Sequence, residues 1–217
     1  MKYVSFKLSN TKLFGAAASL ACLSLVSACG SDSADDVKKS VSNLTGESEL
    51  QGKWTTTCGK AGVLDASGKS TYIFEPLRYE KALNIYKDDQ CNETLAVATY
   101  KGEFKIGTGE GLAEGVKRID VTPKTLILKA NSKAGVAAMN LISVCGINDW
   151  AVNVERDVSV AAKGGKCLSE TIDTPQYDVY TLGNDQLKFG ATLVLGAPTS
   201  EDQRPTKVNE TALVPAK

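Results

Sequence analysis

The sequence predicts a mainly β fold, an antiparallel barrel or sandwich with one short helix. Three observations carry that prediction. From Leu50 onward the chain breaks into short runs rich in β-branched and aromatic residues, with turn residues between them. Residues 94–106 alternate with period two, as a half-buried strand must. Only one stretch carries helical spacing, so alternating βα units are excluded.

Taken in order, 53–58 is the first expected strand and 59–69 a loop ended by Ser67-Gly68-Lys69. The segment 71–75 follows and turns at Pro76. Next comes 79–87, where Leu83 and Ile85 flank Asn84, before Asp88-Asp89-Gln90 turns the chain at Cys91. In 94–106, Ala96, Ala98, Tyr100, Phe104 and Ile106 share one face, while Thr99, Lys101, Glu103 and Lys105 share the other. The glycine-rich 107–111 makes a loop, and 116–121 and 125–128 continue the sheet. Asn131 or Ser132 caps a helix whose apolar stripe is Ala134, Ala137, Ala138, Leu141 and Ile142, and Gly146 stops it. Strands resume over 151–160. A hairpin then joins 177–182 to 186–189 across Gly183-Asn184-Asp185, and the tail from Pro198 is polar and proline-punctuated.

The front of the chain has a different character. Lys2, Lys7 and Lys12 precede an apolar run from Leu13 to Val26, and Ser27-Ala28-Cys29 closes it. A basic start, a short apolar middle and small residues at the end are the three parts of an export signal. The run is shorter than the ~20 residues that a permanent membrane helix needs. Leu25-Val26-Ser27-Ala28-Cys29 resembles the lipobox of bacterial lipoproteins. That resemblance implies cleavage between Ala28 and Cys29 and fatty acylation at Cys29, with palmitate-type chains. Two or more acyl chains, each buried methylene contributing about 0.8 kcal/mol, hold a protein firmly on a bilayer. Gly30, rather than Asp, follows the cysteine, which in lipoproteins of this kind implies the outer membrane. The expected location is therefore the cell envelope, lipid-anchored.

The expected organisation is a signal segment over 1–28, a lipidated polar tether over 29–49, a β domain over 50–206 and a tail over 207–217. Loss of the signal removes three lysines and no acid, so 25 basic against 25 acidic side chains becomes a net charge of about −3. That balance gives no electrostatic reason to bind nucleic acid. The chain has no histidine, which excludes Ser-His-Asp and Cys-His catalysis, histidine zinc sites and histidine-ligated haem. No enzyme activity, cofactor or metal is expected. Gly107-Thr108-Gly109-Glu110-Gly111 lacks the Lys-Ser/Thr of a phosphate loop, and Asp88-Asp89 with Glu93 lacks the spacing of a calcium loop.

Beyond Cys22 and Cys29, four cysteines remain: Cys58, Cys91, Cys145 and Cys167. An even number in an exported chain reads as disulfides, with three connectivities open. An up-down-up strand order puts Cys58 and Cys91 at one end of the sheet, and Cys145–Cys167 then clips the helix down. A peptide map joining Cys58 to Cys145 or Cys167 rejects that pairing.

Gly52-Lys53-Trp54 with Cys58, Tyr86-Lys87-Asp88-Asp89-Gln90-Cys91, Cys145-Gly146 with Asp149-Trp150, Tyr177-Asp178-Val179-Tyr180 with Leu187-Lys188-Phe189-Gly190, and Arg204-Pro205-Thr206 stand in this order. Together they resemble exported bacterial lipocalin-like lipoproteins, which are similar to the adenomatosis-polyposis-coli-down-regulated lipid-binding domain. The Thr-Asp-Tyr element of true lipocalins is missing, so a closed lipocalin-like barrel and a half-open barrel or sandwich both stay open. The resemblance implies a cavity for a small hydrophobic or acyl ligand, with Tyr72, Phe74, Tyr100 and Phe104 as lining residues. It also implies barrel closure by Gly52 and Trp54, with Arg204 covering Trp54. The alternative is an envelope protein-interaction module with a filled β core that presents loops such as 107–115 to an unknown protein partner.

Overall fold

The computed structural model describes residues 49–61, 66–164, 167, 172–190 and 197–216. The expected signal, the cleavage site Ala28/Cys29 and nearly all of the tether lie outside the described residues.

The strands are β1 (Gly52–Thr56), β2 (Gly59–Lys60), β3 (Ser67–Glu75), β4 (Arg78–Tyr86), β5 (Thr94–Ile106), β6 (Lys117–Ala130), β7 (Glu155–Asp157), β8 (Gln176–Gly183), β9 (Gln186–Phe189) and β10 (Ala212–Pro215). Two helices, α1 (Lys133–Leu141) and α2 (Ser159–Lys163), lie between β6 and β8. The order β1-β10-β9-β8-β6-β5-β4-β3 returns to β1, because β1 also pairs with β3, so eight antiparallel strands close a barrel. β2 extends the edge of β3, and β7 pairs on β6. Closure removes the unpaired edges that an open sheet must protect.

Local chemistry explains the long strands. β5 spans 94–106 as its alternation predicts. β3, expected from residue 71, begins at Ser67, because Ser67-Gly68 pairs with both β2 and Tyr86-Ile85. The two segments expected over 116–121 and 125–128 are one strand, β6. Its Pro123 lies opposite Gly102, where the register shifts, and a bulge is where a sheet tolerates proline. A Cβ on Gly102 would fall 2.2 Å from the Thr122 carbonyl oxygen, so only glycine fits. The β8–β9 hairpin turns on Asn184-Asp185, both with positive φ, the pattern of a type I′ turn.

Three expectations are corrected. The helix forms, with the Ser132 hydroxyl accepting the Gly135 N–H, but it buries Gly135 and Met139 and leaves Leu141 and Ile142 exposed. The stripe of Ala134, Ala137, Ala138, Leu141 and Ile142 is not the packed face, because Gly135 lies flush on the Leu95 backbone and fixes the rotation of α1. The stretch 151–160 is not one strand: Val152 makes an isolated parallel bridge to Ala130, β7 pairs with β6, and Ser159 then starts α2, its hydroxyl accepting the Leu126 N–H. The expected tail over 207–217 contains β10, which lies between β1 and β9 and buries Leu213. The barrel therefore runs past residue 206.

The core has two parts. One gathers Leu50, Trp54, Tyr72, Phe74, Tyr79, Phe104, Ile119, Tyr180, Leu187, Phe189 and Leu213 inside the barrel. The other joins inner-face Ala98, Tyr100, Leu126 and Leu128 to Met139, Trp150, Val158, Ala162 and Ile172 of the covering segment. Disulfides join Cys58 to Cys91 and Cys145 to Cys167. Both lie at the α1 end: Cys58 follows β1, Cys91 sits in the β4–β5 turn and Cys145 follows α1.

Candidate functional site

Strand alternation decides which side chains enter the barrel. Register places Tyr72 opposite Trp54 on one side and Lys81 on the other. Lys81 in turn faces Tyr100, and Tyr100 faces Leu126. Since Trp54, Tyr72, Tyr100 and Leu126 are all buried, Lys81 shares their inward face, and only 6% of it is exposed. Its ammonium lies 5.3 Å from the Tyr100 ring centroid and 5.9 Å from that of Tyr72. Each such cation–π contact contributes about 0.5–2 kcal/mol, most where water is excluded.

The four expected lining residues divide between the two parts of the core. All four are buried. Phe74 and Phe104 meet edge to face at 5.1 Å, and Tyr72 stacks on Phe74 at 6.0 Å and leans on Phe189 at 5.4 Å. Tyr72, Phe74 and Phe104 are thus one packed core, and Tyr100 belongs to the second. Tyr72 and Tyr100 flank the ammonium.

One end of the interior is shut. The Glu49 carboxylate accepts both the Tyr180 hydroxyl hydrogen and Lys117 Nζ, the latter at 2.7 and 2.9 Å. Leu50 is fully buried beside them, and its carbonyl accepts the Trp54 indole N–H at 2.9 Å. Burial, then the hydrogen bond to Glu49 and its charge, push the Tyr180 phenol well above the ordinary tyrosine range. Toward the other end the burial of β4 side chains falls off. Along the inner face of β4, Tyr79 and Lys81 are buried, whereas Leu83 and Ile85 are only half-buried. α1 covers this end, held by Asn131 N–H on the Leu95 carbonyl, by Trp150 N–H on Asn140 Oδ1 at 2.8 Å and by the Cys145–Cys167 bridge.

Buried polar groups line the walls. Thr56 Oγ1 accepts the Ser70 N–H at 2.9 Å, and Asp178 Oδ1 accepts the Val179 N–H at 2.8 Å. Gln176 and Ser67 are also buried.

The expected closure residues occupy different places. Gly52 pairs with Phe74 at the start of β1, and Trp54 pairs with both β3 and β10 at the seam. Arg204 does not reach Trp54: its guanidinium lies 5.0 Å from the Tyr177 ring centroid. It donates to the Ile119 and Asp178 carbonyls at 3.2 and 2.8 Å and pairs with Asp120 at 2.7 Å. It straps the 201–205 segment onto the β6–β8 wall.

The motifs set aside on sequence have structural roles. The Asp88 carboxylate accepts the Gln90, Asn92 and Glu93 N–H groups, and the Glu93 and Asn92 bonds hold its pKa below the usual carboxylate value. Arg118 pins the glycine-rich loop through the Thr108 and Glu110 carbonyls. Among the described residues no group of three or more His, Cys, Asp or Glu could hold a metal. A surface groove of about 580 Å³ lies outside the barrel, lined by Glu75, Arg78, Lys101 and Glu103 among others.

Sequence reasoning missed Lys81. The signal was present, because Tyr79, Lys81, Leu83 and Ile85 fall on one alternating face. No protein-family model matches this chain, and no curated protein matches it.

Proposed function

We propose that this chain is a lipid-anchored, exported binding protein, non-enzymatic, which holds a small hydrophobic or acyl ligand inside its β-barrel. The observation that carries the reading is the closed eight-stranded barrel with an aromatic interior, shut at the Glu49 end. Barrels of about eight strands are just wide enough to hold one small ligand. The lipobox-like 25–29 segment supports acylation at Cys29 and an outer-membrane location, in line with the resemblance to lipocalin-like lipoproteins. The lack of histidine fits binding rather than acid–base chemistry.

Two measurements test this. Native mass spectrometry of the detergent-extracted protein should find an additional lipid mass on the barrel. Cys29→Ser should leave an unprocessed, unacylated chain; a variant that keeps wild-type size and membrane partition defeats the anchor reading.

A second reading is supported by exposed apolar side chains at the covered end: Leu141 is 84% exposed, Ile142 60% and Val160 89%. Such side chains suit an interaction module in the cell envelope. A ligand-free barrel, together with loss of a co-purifying protein in Leu141→Ser/Val160→Ser, favours that reading.

A further inference from the structure

We propose that the cap formed by α1, β7 and α2 (residues 131–164) is a membrane-contact face: Leu141, Ile142 and Val160 dip into the bilayer to which Cys29 tethers the chain. This rests on the lipid-anchor reading above and says which surface of the barrel meets the membrane.

Three observations point there. The first is how the cap packs. α1 turns Gly135 and Met139 toward the barrel and leaves Leu141 84% and Ile142 60% exposed. On α2, Val160 is 89% exposed between buried Val158 and Ala162. α2 packs against the 144–146 turn that follows Ile142, so these side chains belong to one cap. Val152 and Val154 of the same cap are also exposed. Five of the seven exposed large hydrophobics among the described residues therefore lie here, and a cluster, unlike a scattered few, marks a contact face.

The second is charge. The cap carries Lys133, Arg156 and Lys163 against Asp149, Glu155 and Asp157. Arg156 pairs with Asp149 at 2.8 Å and Lys163 with Asp173 at 2.8 Å. With its charges balanced, the face neither repels a headgroup layer nor depends on one sign of lipid. Its contact then rests on apolar burial, which a bilayer supplies without a matching shape.

The third is reach. The tether enters at the opposite end of the barrel, where Glu49 holds Lys117 and Tyr180. Twenty residues separate Cys29 from Glu49, and a chain of that length has a contour of at most about 70 Å. The 13 residues of β5 run about 43 Å, so a strand tilt of about 35–45° makes the barrel about 30–35 Å tall. The contour is about twice that height, and the far end can meet the bilayer that holds Cys29. Acyl anchoring raises the effective concentration of lipid at the cap, so a contact too weak to hold the free protein becomes occupied. Leu77, between β3 and β4, is the exposed aliphatic side chain at the Glu49 end and serves as the comparison.

The test places the mature chain, acylated at Cys29, in vesicles of phosphatidylethanolamine with a minor share of phosphatidylglycerol, part of the lipid carrying bromine on its tails. Leu141→Trp should gain emission that the bromines quench, and Leu77→Trp should gain emission that they do not. The mature chain made from residue 29 without acyl groups (Cys29→Ser) should float weakly with these vesicles, equally at low and high salt. In that background Leu141→Ser/Val160→Ser should lower the partition about tenfold or more, and Leu77→Ser should leave it unchanged. Unquenched Leu141→Trp in the acylated chain, or quenching at Leu77→Trp instead, overturns the contact face while the anchor stands. Self-association that disappears in Leu141→Ser/Val160→Ser, with no flotation, assigns the cap to a second copy and overturns it too. A chain recovered from cells without acyl groups on Cys29 fails the anchor reading, whereas salt-independent flotation lost in the double variant upholds the face.

Discussion

Replacing Gly135 by alanine should destabilise this protein, although the same change in an ordinary helix interior stabilises by about 0.8–1.0 kcal/mol. A Cβ at this position of α1 falls 2.0 Å from the Leu95 carbonyl oxygen, 2.8 Å from its carbonyl carbon and 3.3 Å from its Cα. All three are backbone atoms of β5, so no rotamer change relieves the contact. α1 must lift by more than an ångström, which stretches the 2.8 Å bond from Asn131 N–H to the Leu95 carbonyl and loosens Met139 over the second core. Overpacking of this kind costs about 1–3 kcal/mol, and the strained hydrogen bond adds about 0.5–1.5. Set against the propensity gain, the net loss is about 0.5–3.5 kcal/mol, or about 1–14 °C in Tm for a chain of this size. Urea denaturation followed by circular dichroism, with disulfides intact, measures it. Ala137→Gly on the exposed face is the control and should lose about 1 kcal/mol from propensity alone. A Gly135→Ala protein as stable as wild type, or more so, refutes the flush packing of α1 on β5.

Two further outcomes follow from the barrel itself. Leu213 is 1% exposed within the closing strand, so Leu213→Ala should cost about 2–5 kcal/mol; a change within about 0.5 kcal/mol would mean that the C-terminal segment is a surface appendage. Tyr180, with its phenol pKa raised by burial and by Glu49, keeps its proton where an unfolded tyrosine releases it near pH ~10. Its contribution is therefore fully present below pH ~10 and is lost as pH rises beyond it. Titration of phenolate absorbance should leave at least one tyrosine un-ionised until the fold is lost, and Tyr180→Phe should lower the number of such tyrosines by one and remove its part of the alkaline slope. Complete tyrosine ionisation in a still-native protein contradicts the Glu49 contact.

Several features of the fold were legible because they are local. β5 could be bounded to the residue because a strand with one dry and one wet side writes its period into the chain. The β8–β9 hairpin was legible because Gly183-Asn184-Asp185 offers the backbone conformations a tight turn needs. The site was harder to see. Tyr72, Phe74, Tyr100 and Phe104 could be placed inside, but their division between the two parts of the core depends on strands that meet only in the barrel. The inward place of Lys81 is hard to read from sequence because a charged residue ordinarily belongs to the wet side of a strand.

By itself the sequence determined that this is a β protein with four cysteines able to pair and no imidazole chemistry. Those properties follow from composition, from period and from neighbours along the chain. Only the tertiary structure decided that the sheet closes, that four residues near the C-terminus complete it, that α1 turns Gly135 rather than Leu141 inward and that one lysine points into the interior. The reason is the same in each case. Which face is buried, and which strand has a partner, depends on atoms brought close from distant positions in the chain, and a strand's alternation alone does not say which neighbour its inward side will meet.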